Sequence, residues 1–335
     1  MNNLKDNNMK IRVLIIGFIL TMSTVLQAQS YNQREDVKQF IQKMVNKHQF
    51  DEELLNYWLE NVKQQKTALD AIARPAEGRL TWAKYRKIFL THKRIKQGVA
   101  FWRENKDLLA KAEKEFGVPA QIIVGILGVE TFYGRRIGNY PVLDALVSLG
   151  FDYPPRGKFF RSELEHFLLM AREEKTDPRL LKGSYAGAMG MPQFISSSFR
   201  EYAIDFDGDK KRDLWQSKAD VIGSVANYFK RHGWKVGQDI ASRASVPASA
   251  VALASKKMRP HTPIKTYLAA GVSALKPLDK NTPATLLELD GNMGMEYWLT
   301  LNNFYVITRY NHSPLYAMAV YQLGQAVATD YHKGF

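Results

Sequence analysis

Residues 117–136 form an apolar run that ends on one carboxylate, Glu130, just before the glycine break at Gly134. Pro119 fits the first turn of a helix, and Ile123, Leu127 and Glu130 fall at i, i+4 and i+7, which puts the acid on the stripe expected to be buried. A carboxyl among aliphatic groups resists ionisation, because desolvation penalises its charged form, and it can then give up a proton near neutral pH. The same spacing also suits a frayed last turn that points Glu130 at water. A second cluster, residues 182–194, is rich in Gly and Ala and carries Ser184 and Gln193. Its small residues let backbones approach closely while the two polar side chains offer hydrogen bonds; tight packing against a helix would need the same composition.

Asp205, Asp207 and Asp209 alternate as at the start of a calcium loop, and the Lys211 carbonyl falls where the next oxygen would be supplied. The usual glycine position holds Lys210 and the usual closing glutamate position holds Gln216, so a cation would bind weakly unless Asp220 completes the set. The alternative is a solvated turn neutralised by Lys210, Lys211 and Arg212. Residues 308–316 gather Tyr310, Asn311 and Tyr316 around a helix start, and such groups can stack on sugar faces and bond their hydroxyl or acetamido groups. For Tyr85 and Tyr228, core packing is the ordinary explanation.

These groups need elements to hold them. Val37, Phe40, Ile41, Met44, Val45 and His48 recur at helical spacing, as do apolar positions through 54–72 and 84–116. Further helices are expected at 119–133, 161–175 and 217–232, the last opening with Ser217 and Asp220 spaced as a capping box. Ser313 suits an N-cap with Pro314 at the first helical position. Between 237 and 304 helical periodicity gives way to Ala, Ser, Thr and Pro, and the runs 264–268 and 297–301 suggest strands. The expected organisation is a signal segment over 1–28, a helical flanking domain over 29–108, a core over 109–236 containing the cation-loop candidate at 205–216, a small β-containing insertion over 237–304, and a C-terminal segment with a helix over 305–335.

Composition narrows the classes. With 335 residues the chain is long enough for a substantial core, and the absence of cysteine removes disulfides, thiolate catalysis and a lipidated cysteine anchor. Met9 to Arg12, the apolar stretch 13–20 and the small residues near Ala28 have the order of a secretory signal, with cleavage expected after Ala28; the stretch is short for a membrane span, and the alternative is an N-terminal membrane anchor left uncleaved. A net charge of +14 favours an anionic partner. Export argues against nucleic acid, while acidic lipid, an acidic polymer outside the cytoplasm and simple solubility charge stay open, since net charge does not choose between them.

Taken in order, the segments 128–135, 186–194, the Asp205 loop, 222–228 and 309–313 resemble the signatures of the lytic murein transglycosylase B family, over roughly residues 35 to 330. The resemblance implies a mainly α (α+β) fold: a lysozyme-like catalytic core flanked by a helical domain and a small β-containing one. It implies cleavage of peptidoglycan glycan strands, with Glu130 as sole acid and base. It also implies Ser184 and Gln193 as active-site hydrogen-bonding positions, Tyr85, Tyr228, Tyr310 and Tyr316 as cleft tyrosines, Asn311 as a polar cleft position and Arg156 as a basic position near the peptide or lactyl group. Asp205, Asp207 and Asp209 correspond to a structural Ca2+ (or Na+) loop, with no cofactor for catalysis. Phe159 stands where the family often has another tyrosine. The expected form is a soluble periplasmic monomer, with cell-wall synthases or amidases as candidate partners.

Ordinary glycosidases pair two carboxylates. A hydrolysing muramidase would therefore need a second acid near Glu130, for which Asp144, Asp152 and Glu163 are candidates, and a non-catalytic wall-binding scaffold would need none.

Overall fold

A computed structural model of the chain describes residues 30–73 and 80–334. The signal segment expected over 1–28 lies outside the described residues. From the N-terminus the chain runs through helices α1 (Glu35–His48), α2 (Glu52–Glu60), α3 (Lys66–Ala73), α4 (Trp82–Phe89), α5 (His92–Glu104) and α6 (Lys106–Phe116). It continues through α7 (Ala120–Thr131), α8 (Val142–Asp152), α9 (Gly157–Glu173), α10 (Ser196–Tyr202) and α11 (Lys218–Arg231). After a sheet-bearing segment that includes α12 (Ile264–Ala269), it ends in α13 (Asn302–Tyr310) and α14 (Pro314–His332).

The expected stripe on α7 does not exist, because the helix is buried on every side: Ile122 to Val129 are all buried. Helices α5, α6, α11 and α14 surround it. The closest crossing, against α14, is backbone to backbone. A Cβ on Gly125 would stand 2.5 Å from the Val320 carbonyl oxygen, and one on Gly324 would stand 2.4 Å from that of Gln121. Each helix thus offers a glycine to the other's main chain, so no side chain separates the axes at that point. Pro119 is the N-cap of α7 rather than part of its first turn.

The N-terminal helices dock on α8 and α9 through polar ties. Asp152 accepts from the Tyr31 hydroxyl (2.5 Å), Arg34 (2.5 Å) and Gln64 (2.7 Å), while Asp144 accepts from Lys63 N and Gln65 Nε2, both at 3.3 Å. On α9, Glu165 takes Lys43, Lys47 and His48 from the last turns of α1. Burial works against this carboxylate, but the hydrogen bonds from Lys43, His48 and Lys47 outweigh it and hold its pKa down to about 2.

Two short strands, β1 (Tyr140–Pro141) and β2 (Lys182–Gly183), pair antiparallel beside the core. The larger sheet contains β3 (Ala241–Ser245), β4 (Thr262–Pro263), β5 (Ser273–Ala274), β6 (Pro283–Gly291) and β7 (Gly294–Thr300), in the order β4-β6-β7-β3-β5. Residues 297–301 fall largely in β7, as their alternation suggests. The segment 264–268, expected as a strand, is helical: Ile264 and Tyr267, three apart, share the face turned into the small apolar core under the sheet. Tyr321 of α14 donates to the Ala241 carbonyl and ties that sheet to the helical core.

Candidate active site

Glu130 lies in the last turn of α7 and is half-buried, neither sealed inside nor turned fully to water. The chain then turns sharply through three consecutive left-handed residues, Phe132 (φ 53°), Tyr133 (φ 60°) and Gly134 (φ 82°). Such φ values cost a non-glycine residue roughly 1–2 kcal/mol each. Three hydrogen bonds offset this: Tyr133 N to the Leu127 carbonyl (2.9 Å), Arg136 N to the Thr131 carbonyl (2.9 Å) and Gly134 N to Thr131 Oγ1 (3.0 Å). The guanidinium of Arg94 also sits over the Phe132 ring at 5.1 Å. The helix end that carries the acid is thereby fixed, which excludes the frayed turn.

The Tyr316 hydroxyl donates to Glu130 Oε1 at 2.5 Å. Tyr316 is fully enclosed, and burial first, then the neighbouring Glu130 charge, raises its phenol pKa well above the ordinary value. It therefore stays protonated, and remains a donor, wherever the protein is folded near neutral pH. Tyr310 stacks nearly parallel to it, with ring centroids 6.4 Å apart and planes at 14°, and donates to the Pro192 carbonyl at 2.6 Å. Tyr228 packs on Tyr310 at 4.8 Å and donates to the Arg309 carbonyl at 2.7 Å, and Phe194 closes the aromatic floor 5.6 Å from Tyr228. Tyr85, buried in α4, faces Tyr316 closely enough for its hydroxyl to add to that rise in pKa. Four tyrosines from four helices thus converge with one carboxylate.

The segment carrying Ser184 and Gln193 is a tight loop tied to the end of α7 by Thr131, whose hydroxyl donates to the Met191 carbonyl at 2.8 Å. Ser184 Oγ accepts from the amides of Ala186 (3.3 Å) and Ala188 (3.0 Å), which shapes the loop and leaves its hydrogen to donate. Gln193 holds a left-handed backbone (φ 52°), and its Nε2 donates to the carbonyls of Ile137 (3.1 Å) and Gly190 (2.9 Å), so the oxygen is the end it presents. Asn311 follows Tyr310 directly and caps α13, and its carbonyl accepts from Ser313 N at 2.7 Å. Arg156 is not drawn into this constellation. It is exposed, with its guanidinium spread over the rings of Phe159 (4.6 Å) and Phe160 (5.0 Å).

The three alternative acids are engaged elsewhere. Asp144 and Asp152 anchor the N-terminal helices, and Glu163 is buried and accepts from Ser197 N at 2.9 Å at the start of α10. Spacing gave no hint of Thr131, Phe194 or the two loop carbonyls, because their roles depend on contacts between distant segments.

The Asp205 loop is a separate feature. Asp205, Asp207 and Asp209 bring carboxylate oxygens within 4.8 Å of one another. Asp205 accepts from Gly208 N, Asp209 N and Lys210 N, at 2.6, 3.1 and 2.7 Å, so backbone amides pre-form the turn. Lys210, at the position where glycine is usual, adopts the glycine-like φ of 72°. Arg212 does not neutralise the loop, because it turns away to Glu173 and Glu174. Asp220 is buried and stands outside the three-carboxylate group: its oxygens accept from Phe206 N and Asp213 N, both at 2.8 Å, bracing the two ends of the loop. Ser217 caps α11, accepting from Asp220 N, and donates to Asp207. The clustered hard oxygen donors fit a calcium-type cation.

The transglycosylase SLT domain family matches this chain over residues 32–325. The membrane-bound lytic murein transglycosylase B of Escherichia coli (strain K12) is 47% identical over 302 residues, covering 88% of this chain and 82% of the relative. The catenated lytic transglycosylase SltB1 from Pseudomonas aeruginosa superimposes with a TM-score of 0.86 at 48% identity, covering 90% of this chain and 99% of that one. The E. coli lytic transglycosylase Slt35 in complex with calcium gives 0.83 at 47%, covering 89% and 94%. The glutamate at the end of the buried helix, its tyrosine surround and this near-complete coverage lead to one conclusion: the chain belongs to the transglycosylase SLT domain family and is a mainly α-helical lytic transglycosylase of peptidoglycan.

Proposed function

We propose that Glu130 alone serves first as acid and then as base in cutting the bond between N-acetylmuramic acid and N-acetylglucosamine. The observation that carries this reading is the Glu130–Tyr316 hydrogen bond within a tyrosine cluster, while Asp144, Asp152 and Glu163 are committed to structural partners. With Oε1 engaged by Tyr316, the proton passes from Oε2 to the bridging oxygen, and the departing N-acetylglucosamine leaves as an alcohol. The muramyl N-acetyl group stabilises the developing cation, in the substrate-assisted manner known for glycosidases that lack a second carboxylate. The ionised Glu130 then takes the proton of the C6 hydroxyl of the same sugar, and that oxygen attacks C1 to close a 1,6-anhydro ring. An intramolecular nucleophile outcompetes water because its proximity is already provided.

Ser184 O–H and the Gln193 amide oxygen suit the polar substituents of the sugars, Asn311 adds a further polar group at the cleft, and the tyrosine faces suit their apolar sides. Arg156, exposed at a helix start, suits the acidic peptide or lactyl group at the rim. In the cation loop, Asp205, Asp207, Asp209 and the Lys211 carbonyl would hold calcium in a structural role, supported by the calcium complex of the E. coli relative. Among the described residues no helix is long and apolar enough to cross a membrane. The secretory-type order of residues 9–28 favours a periplasmic location, and the chain has no cysteine to carry a lipid anchor.

The test is Glu130→Gln on purified sacculi, beside Glu163→Gln as a folded control. Loss of at least about a hundredfold in fragment release for the first, with wall binding retained, is expected. Release at the parent rate by Glu130→Gln would reject the reading and favour another acid.

A further inference from the structure

Two adjacent carbonyls of the loop 187–194 are pinned by hydroxyls from two different helices, α7 and α13. Thr131 donates to the Met191 carbonyl at 2.8 Å and Tyr310 to the Pro192 carbonyl at 2.6 Å. The residues that make these ties are joined again at the acid itself. Thr131 follows Glu130 in the chain, and Tyr310 stacks on Tyr316, which donates to Glu130 Oε1 at 2.5 Å. The path from Glu130 through Thr131, Met191, Pro192, Tyr310 and Tyr316 therefore returns to Glu130 as a closed circuit.

Thr131 is fully buried and has no access to substrate. Its hydroxyl uses both capacities, donating to Met191 and accepting from Gly134 N at 3.0 Å, the last of the three left-handed residues beyond the helix. One oxygen thus fixes both where α7 stops and how the Gln193 loop stands against that end. The surrounding structure leaves little slack. A Cβ on Gly190 would meet the Leu214 carbonyl at 2.4 Å, and one on Gly134 would meet the Met191 side chain at about the contact limit, 3.0 Å.

We infer that Thr131 is a positioning residue for Glu130, its hydroxyl locking the end of α7 to the Met191 carbonyl so that the carboxyl keeps its place beneath the scissile bond. The inference rests on the reading of Glu130 as the proton donor. Proton transfer demands this placement, since a displacement of roughly 1 Å at a distance from the chemistry can cost about a hundredfold in rate. Valine copies the shape of threonine but strands the Met191 oxygen and the Gly134 amide together, whereas serine keeps both bonds.

The experiment compares Thr131→Val, Thr131→Ser, Glu130→Gln and the parent mature chain in kcat and KM for fragment release from sacculi, at a temperature well below the lowest melting point. Thr131→Val is expected to lower kcat about 10- to 100-fold with KM within about twofold, and Thr131→Ser to return kcat to within about threefold of the parent. A residue with only a structural role would lower the melting temperature and leave kcat intact at that working temperature. Parent-like kcat in Thr131→Val, or equal damage in Thr131→Ser, overturns the inference. If the valine variant does not fold, Thr131→Ala takes its place under the same criteria. Activity retained by Glu130→Gln would instead reject the acid assignment itself, an outcome separable from any result at Thr131.

Discussion

Removing the hydroxyl of Tyr316 while keeping its ring isolates the contact that defines the site. In Tyr316→Phe the stack on Tyr310 survives, and the change is confined to the 2.5 Å hydrogen bond to Glu130 Oε1. A hydrogen bond to a charged group is worth about 1.5–3 kcal/mol. On the proposed mechanism the bond matters most when Glu130 carries charge, after it has delivered its proton and before it takes the next, so the loss should fall on the barrier rather than on substrate binding. At 1.36 kcal/mol per factor of ten, the expected fall in kcat is roughly 10- to 150-fold with KM little changed. The assay is the initial rate of soluble muropeptide release across a range of sacculus concentrations, with a melting curve to confirm that the variant is folded. A kcat within about twofold of the parent, in a folded variant, would refute a role for this hydrogen bond in stabilising the charged Glu130. Tyr310→Phe is the comparison: it loses a neutral bond to a carbonyl, worth about 0.5–1.5 kcal/mol, and should cost less.

Other outcomes follow from the frame around the site. Calcium at a hundred times its dissociation constant should add about 2.7 kcal/mol, which at roughly 2.1 cal/mol/K per residue is a rise of about 4 °C in melting temperature. Burial raises the pKa of Asp220 against the lowering effect of the hydrogen bonds from Phe206 N and Asp213 N, with the Asp207 and Asp205 charges adding to the rise, so without a cation its contribution to stability is present at low pH and is lost as pH climbs through its folded value. The calcium-induced rise should therefore grow from acidic to neutral pH, and a rise independent of pH would contradict it. Glu165→Gln should cost about 1–2 kcal/mol near pH 7, three partly exposed pairs at roughly 0.2–1 kcal/mol each. Because the folded pKa is lowered to about 2, that cost should shrink as pH falls through the acidic range toward that value, which denaturant melts at a series of pH values would show. Gly324→Ala should destabilise by about 1–3 kcal/mol or more, since the added methyl meets a backbone oxygen rather than a yielding side chain, and an unchanged melt would count against the tight crossing of α7 and α14.

Much of this was legible because it was local. Ser313 and Pro314 mark the start of α14, and the Ser313 side chain caps it as their types suggest. Ser217 likewise caps α11, but Asp220 does not reach back to complete a capping box, since its carboxylate is spent on the amides of Phe206 and Asp213. What could not be read was set by packing between distant segments. Helix α7 carries no polar face because glycines let α14 press against its backbone, so a stripe inferred from three positions had no meaning there. The strand Ala241–Ser245 has little intrinsic β preference and exists because β7 and β5 flank it. Glu130 and Tyr316 are 186 positions apart, and no spacing rule connects them.

If one carboxyl exchanges the glycosidic bond for an internal ring without admitting water, the new muramyl ends take up no oxygen from the solvent. Digestion of sacculi in water enriched in oxygen-18, followed by mass analysis of the new muramyl ends, tests it directly. Anhydro ends, lighter than hydrolysis products by one water and carrying no label, are expected; labelled reducing ends as the main product would contradict the single-carboxyl mechanism.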